Sequence, residues 1–90
     1  MYSLKNLIIL ALASTALACR CTEGGKAGGR LDVSATENSC QEAGGTTVNG
    51  GSANVNCANS NHARFDDRCK ANTGKFGTGI PNLRSTCGRA

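Results

Sequence analysis

Cys19-Arg20-Cys21 places two cysteines on alternate positions of the chain. In an extended strand, residues at i and i+2 point to the same face, so both thiols would lie on one face and Arg20 on the other. The two cysteines are then poorly placed to pair with each other. We predict a strand here that is tied to two other parts of the chain.

All six cysteines follow an apolar leader. The leader carries Lys5, an apolar run at residues 7–12 and a tripeptide with small residues at its ends that finishes at Ala18, which is typical of a cleaved secretion signal. We predict a signal peptide over residues 1–18 and one secreted, extracellular domain over residues 19–90.

Two other interpretations of the leader are a membrane anchor and a lipoprotein signal. The apolar run is shorter than the roughly 20 residues that span a bilayer. Acylation of Cys19 would leave five thiols, an odd number in an oxidising compartment. We therefore expect no stable membrane anchor.

An even number of cysteines in a short exported chain indicates a disulfide framework. Besides alanine and cysteine, residues 19–90 have only eight apolar side chains and no tryptophan. Three disulfides at about 2–4 kcal/mol each are then predicted to decide whether the chain folds. Zinc is the alternative use, but its ligands are usually two to four residues apart, whereas one residue separates Cys19 from Cys21. We expect no metal and no cofactor.

The first helix is predicted to begin at a capping box made by Ser34 and Glu37 and to end at Gly44 and Gly45. Its buried face is predicted to carry three residues at i, i+4 and i+7: Thr36, Cys40 and Ala43.

Two strands are predicted at residues 46–49 and 52–57, joined by a tight turn at Asn49-Gly50-Gly51. Alternation along them predicts inward-facing side chains at Val48, Ala53, Val55 and Cys57.

The second helix is predicted from His62 to Ala71, after a cap within residues 59–61. Phe65 and Cys69 would share its buried face, and Asp66 would pair with Lys70 one turn later on its exposed face. The last strand is predicted from Leu83 to Cys87.

The element order predicts an α+β fold, a βαββαβ split sandwich. Its four-stranded antiparallel sheet would have the spatial order 4, 1, 3, 2 and carry both helices on one face. That topology favours a nested disulfide arrangement, one of fifteen possible. The three predicted pairs are Cys19 with Cys87, Cys21 with Cys69, and Cys40 with Cys57.

Positive charge is concentrated in the second half of the chain, where six bases meet only two acids from Ala58 onward. Such a field can favour an anionic surface or an acidic protein, although ordinary solvated charge has the same appearance. Nucleic acid would require denser cations with stacking aromatics, so we expect no nucleic-acid partner. The candidate interaction residues are Arg64, Arg68, Lys70, Lys75, Arg84 and Arg89.

Catalytic side chains are sparse. His62 is the only histidine and has no evident partner in sequence. Asp66 and Asp67 are adjacent on a predicted helix, so they point about 100° apart and cannot flank one bond. We predict that the protein is not an enzyme. The glycine-rich segment 72–82 fits either an exposed loop that inhibits host proteases or carbohydrate-active enzymes, or a plain connection.

Several of these features occur together in a known family. The cysteine pair at Cys19 and Cys21, the connection through Ala35 and Thr36 to a helical Cys40, and Phe65-Asp66-Asp67-Arg68-Cys69 resemble the α-subunit family of killer protein six, a virally encoded toxin of smut fungi. They also resemble small secreted fungal effectors with the same sandwich.

The resemblance implies a fungal protein that acts outside the cell that makes it. It would be a virulence effector in the plant apoplast or, alternatively, a killer-type antimicrobial toxin acting on the membranes of competing microbes. The family's toxin is cut into two subunits, whereas this chain has no dibasic pair for such processing. A single-chain, monomeric effector is therefore expected, with a host extracellular protein or an anionic surface as its partner.

Overall fold

The computed structural model describes residues 17–89. Residues 1–16 of the predicted signal peptide lie outside this range, and its last two residues, Leu17 and Ala18, are part of the first strand. The elements follow in the order β1 (Leu17–Glu23), α1 (Val33–Glu42), β2 (Thr46–Val48), β3 (Asn56–Ala58), α2 (His62–Ala71) and β4 (Leu83–Arg89).

The four strands form one antiparallel sheet in the order β2-β3-β1-β4. This is the predicted order read from the opposite edge, so the predicted βαββαβ fold is confirmed. β1 and β4 pair along seven residues, from Leu17 opposite Arg89 to Glu23 opposite Leu83. β1 is thus one of the two inner strands, and its ladder with β4 is the longest in the sheet.

Two of the three disulfides join a helix to this sheet, and the third joins β1 to β4. They connect Cys19 with Cys87, Cys21 with Cys69, and Cys40 with Cys57, the same nested pairs that the topology predicted. Cys19 lies opposite both Cys57 and Cys87 in register, so these cysteines share one face of the sheet with Cys21. Both helices are therefore attached to that face.

The N-terminus of α1 differs from the prediction. Its cap is Asp32, whose Oδ1 accepts a hydrogen bond from the Ala35 N–H at 2.9 Å, and not Ser34. Asp32 is fully buried, and its Oδ2 accepts a second bond from the Thr78 hydroxyl at 2.8 Å. Ser34 is exposed within the first turn, and Glu37 bonds to the Gly51 N–H at 2.5 Å. The predicted capping box is wrong because Asp32 satisfies two donors at once.

The hairpin is also less regular than predicted. β2 and β3 are three residues each, and residues 49–55 connect them. In the observed register Val48 pairs with Asn56, which places both on the face away from the helices. Val48 is therefore 40% exposed and Ala53 is exposed in the turn, whereas Val55 and Cys57 are buried as predicted.

The second helix has the predicted bounds, with Asn61 as its cap, and Phe65 and Cys69 are fully buried. The predicted buried face of α1 is also confirmed, since Thr36, Cys40 and Ala43 are all buried. Beneath the helices the core is partly polar, because the Thr36 hydroxyl accepts the Cys21 N–H at 2.9 Å. The core is therefore small, rich in cystine and crossed by buried hydrogen bonds.

Candidate functional site

The six predicted interaction residues do not form one continuous cationic patch. Arg68 lies on the side of α2 that faces α1 and pairs with Glu42 at 2.7 Å. Arg84 lies on β4 and pairs with Asp66 on the opposite side of α2. Two of the predicted cations are thus already matched by acids of the framework.

The other four predicted residues are arranged differently. Arg64, Lys70 and Lys75 are exposed and form no ion pair within 4 Å with another residue of the described range. Arg89 ends β4, and its side chain lies outside the described part of the structure. Arg64 precedes Arg68 by one helical turn, whereas Lys70 lies around the helix from both. Of the predicted interaction residues whose side chains are described, Arg64, Lys70 and Lys75 are therefore the ones whose charge is not matched by an acid.

Asp66 makes a different contact from the one predicted. Instead of Lys70, it binds Arg84 in a two-pronged arrangement, with Nε to Oδ1 at 3.1 Å and Nη2 to Oδ2 at 2.9 Å. Its Oδ1 also accepts the Ser85 N–H at 2.8 Å. The Arg84 guanidinium, helped by the Ser85 N–H, lowers the pKa of Asp66 to about 2. This carboxylate therefore ties α2 to β4.

These contacts form one wall of a polar cleft that the sequence did not predict. The His62 Nε2 lies 2.9 Å from the Ser85 Oγ, beside the pair of Asp66 and Arg84. The cleft has a volume of about 510 Å³. Its lining residues are Gly24, Gly25, His62, Ala63, Asp66, Arg84 and Ser85. The only sequence signal was the one-turn spacing of His62 and Asp66, because the residues on β4 are far away in the chain.

A serine beside a histidine can be a nucleophile with its base, but this arrangement lacks the rest of a hydrolytic site. Acyl transfer requires N–H donors for the developing oxyanion. The Ser85 N–H is already bound by the Asp66 carboxylate, whose negative charge would oppose an oxyanion at that place. Within the described residues no carboxylate bonds to His62 to orient its ring. The contacts that line the cleft are better suited to hold α2 against β4 than to catalyse hydrolysis.

A second depression lies on the other side of the molecule, along the outer side of α1. It has a volume of about 550 Å³ and is open to solvent. Its lining residues are Ser34, Glu37, Asn38, Gln41, Gly45, Thr47 and Phe76. We call this depression the α1 groove. Phe76 is 38% exposed there, whereas the other phenylalanine of the described range, Phe65, is fully buried.

The segment 72–82 that presents Phe76 is anchored at both ends. Asn72 is buried, and its Nδ2 donates to the Ser39 Oγ at 2.9 Å. At the far end Ile80 is buried, and the Thr78 hydroxyl donates to Asp32. The tip between these anchors is exposed, so the segment is a presented loop with fixed ends.

Comparisons with known proteins do not assign either surface. No protein-family model, curated protein or solved structure matches the chain. Over residues 17–89, no helix has the length and apolar character needed to cross a membrane, and no three metal-ligating side chains come together. The function must be argued from the chemistry of the surfaces.

Proposed function

We propose that the protein is a small secreted fungal effector that acts on a plant host outside the cell that makes it. The observation that carries this proposal is the frame of three disulfides, five of whose six cysteines are buried. Such frames form and persist in oxidising, extracellular compartments. The predicted leader and the resemblance to the killer-toxin sandwich support the same location.

An extracellular host protein suits the surface better than a membrane does. Adsorption to anionic lipid improves with each exposed cation near the surface, by about 1 kcal/mol each. Here the Arg68 and Arg84 guanidiniums are matched by Glu42 and Asp66, and they lie on opposite sides of α2. The unmatched cations Arg64 and Lys70 point in different directions around α2, which favours a shaped partner with matched acids.

The first experiment is a pull-down from host apoplastic fluid with purified, oxidised protein. Wild type should recover a specific partner, and the double variant Arg64→Glu/Lys70→Glu should recover much less of it. Lys26→Glu is the matched control, since Lys26 is an exposed base in the connection between β1 and α1. Equal recovery of the partner by all three proteins would show that Arg64 and Lys70 do not contribute to its binding.

The second experiment tests the toxin alternative directly. Purified protein is mixed at low salt with dye-filled vesicles that contain anionic lipid. The effector proposal expects no leakage. Leakage that rising salt suppresses would identify membrane action instead, because salt screens exposed charges.

A further inference from the structure

One long segment of the chain has no charge. The nineteen residues from 43 to 61 contain no Asp, Glu, Lys, Arg or His, and they include five asparagines. This segment forms β2, β3, the connection between them and the cap of α2. This segment, which we call the neutral edge, thus contributes no charge of its own and is rich in carboxamides, in contrast to the charged side at β4. Charged side chains of other elements reach it at two points, Glu37 at Gly51 and Arg20 at Asn56.

The α1 groove adjoins this neutral edge, and its polar groups are uncharged with one exception. Ser34, Gln41 and Thr47 make no side-chain hydrogen bond with other described residues, so their donors and acceptors face solvent. The exception is Glu37, whose Oε2 is already bound to the Gly51 N–H. The groove therefore presents hydroxyl and carboxamide groups, which can both donate and accept hydrogen bonds.

Phe76 supplies an exposed aromatic ring to the same groove. The side chain is 38% exposed, so the open part of the ring remains available for contact with a ligand. The loop places the ring there although its neighbours Thr78 and Ile80 are anchored. The face of an aromatic ring carries partial negative charge and attracts polarised C–H groups lying flat against it.

We propose that the α1 groove binds a neutral, extended oligosaccharide of hexose units. A sugar ring offers hydroxyls for Ser34, Gln41 and Thr47 and a C–H face for Phe76. Ser34 and Gln41 are seven residues apart on α1, about 10 Å along its axis, which is about the length of two hexose units. A polyanionic sugar would meet Glu37 without an opposing cation in the groove lining. This proposal does not depend on the effector proposal.

The test is a titration of the ¹⁵N-labelled, oxidised full-length domain with a β-1,4-linked glucose hexamer, followed by NMR. We expect saturable shifts confined to residues of the α1 groove and little change in affinity when salt is raised. An oligogalacturonate hexamer, the anionic counterpart, should bind at least tenfold more weakly.

Variants locate the site. Phe76→Ala should weaken binding of the glucose hexamer at least tenfold, and Gln41→Ala a few-fold. Val48→Ala is the matched control, because Val48 is equally exposed but lies on the opposite face of the sheet, and it should bind as wild type does. All three variants should keep the wild-type amide spectrum outside their own surroundings.

Two results would overturn the proposal. One is the absence of saturable shifts in the α1 groove up to about 10 mM hexamer, well above the millimolar dissociation constants of weak binding. The other is equal binding by wild type and Phe76→Ala. Neither result would affect the pull-down prediction, which depends on Arg64 and Lys70, so failure of the two proposals can be told apart.

Discussion

The two edges of the sheet are treated in opposite ways. At β4 the outward N–H groups of Leu83 and Ser85 are bound by side chains, the Thr73 Oγ1 at 3.0 Å and the Asp66 Oδ1 at 2.8 Å. At β2 the edge is left open, with three exposed residues and no charge. An open edge invites strand addition from another chain, and proteins avoid it by covering the edge or keeping it short. This chain covers β4 and shortens β2.

The contrast shows which charges have a structural task. Asp66 and Arg84 close the β4 edge, and Arg68 joins the two helices through Glu42. Charge density along the sequence therefore overestimates the cationic surface available to a partner. On the uncharged β2 side Ser52, Asn56 and Asn61 also make structural hydrogen bonds. In the adjoining α1 groove, however, the side chains of Ser34, Gln41 and Thr47 make none with other described residues, and this makes the groove the better place for a ligand.

Removing the disulfide that ties α2 to β1 should have the largest effect on stability and on the covered β4 edge. In the double variant Cys21→Ala/Cys69→Ala, we expect unfolding free energy to fall by roughly 3 kcal/mol, since the disulfide constrains the unfolded chain. Because Asp66 lies on α2 and Thr73 follows shortly after it, the Ser85 and Leu83 amides that they bind should also lose protection from hydrogen exchange. Urea unfolding and exchange measured by NMR give the two readouts.

The control for that variant is Cys40→Ala/Cys57→Ala, which releases α1 from β3 on the open side. It should cost a similar free energy and leave the Leu83 and Ser85 amides protected. If the Leu83 and Ser85 amides exchange at the same rate in both double variants, the covering of β4 by α2 is not what protects them.

The open edge should nevertheless prove tightly packed at its backbone. A Cβ added at Gly45 would lie 2.5 Å from the Cys57 Sγ and 2.9 Å from the Ala58 carbonyl oxygen. Gly45→Ala should therefore cost about 2–3 kcal/mol, as overpacked cores do. Gly44→Ala is the neighbouring control, with open space around its Cβ and only the strain of its φ of +77°, and it should cost about 1 kcal/mol. A larger loss for Gly44→Ala in thermal unfolding would contradict the packing argument.

The pair of Asp66 and Arg84 should make the covered edge sensitive to acid. The pKa of Asp66 is lowered from 3.8 to about 2 in the folded protein, so its contribution is present above pH 4 and is lost as the pH falls from about 4 to about 2. Asp66→Asn should cost about 1 kcal/mol at pH 7, because Arg84 is partly exposed to solvent, and the penalty should vanish near pH 2.

Asp67→Asn is the matched control for this acid effect. Asp67 is the next residue on α2, is exposed and makes no side-chain hydrogen bond with other described residues. Its stability profile between pH 7 and pH 2 should follow that of wild type. A constant difference between Asp66→Asn and wild type at all pH values would show that the ionised carboxylate is not the cause.

Local patterns in the sequence predicted the fold and, through its topology, the disulfides, whereas hydrogen bonds between side chains far apart in the chain were not predicted. Cysteine placement and periodicity were enough for the sheet order, α2 and the three disulfides. Ser34 and Asp32 are both good caps, and the choice depends on Thr78, 46 residues from Asp32. Likewise Asp66 had a plausible partner in Lys70 but binds Arg84, 18 residues away, where a two-pronged contact and the Ser85 N–H act together.

Two features of the neutral side, the exposure of Val48 and the α1 groove, were not predicted for a related reason. Alternation placed Val48 toward the helices, but the observed pairing with Asn56 places it on the other face. In a strand, a change of one residue in register reverses every side chain. The α1 groove depends on where the loop returns beside α1, which no local pattern specifies.

The smallest effect is expected at Phe76, and it separates folding from function on the open side. Phe76→Ala should lower the unfolding free energy by less than about 1 kcal/mol, since the side chain is 38% exposed and lies at an open groove. The same change at the fully buried Phe65 should cost about 3–5 kcal/mol. Urea unfolding of both variants makes the comparison. If Phe76→Ala lost more than about 1 kcal/mol, the ring would belong to the packing of the loop, and its exposure could no longer be assigned to a ligand.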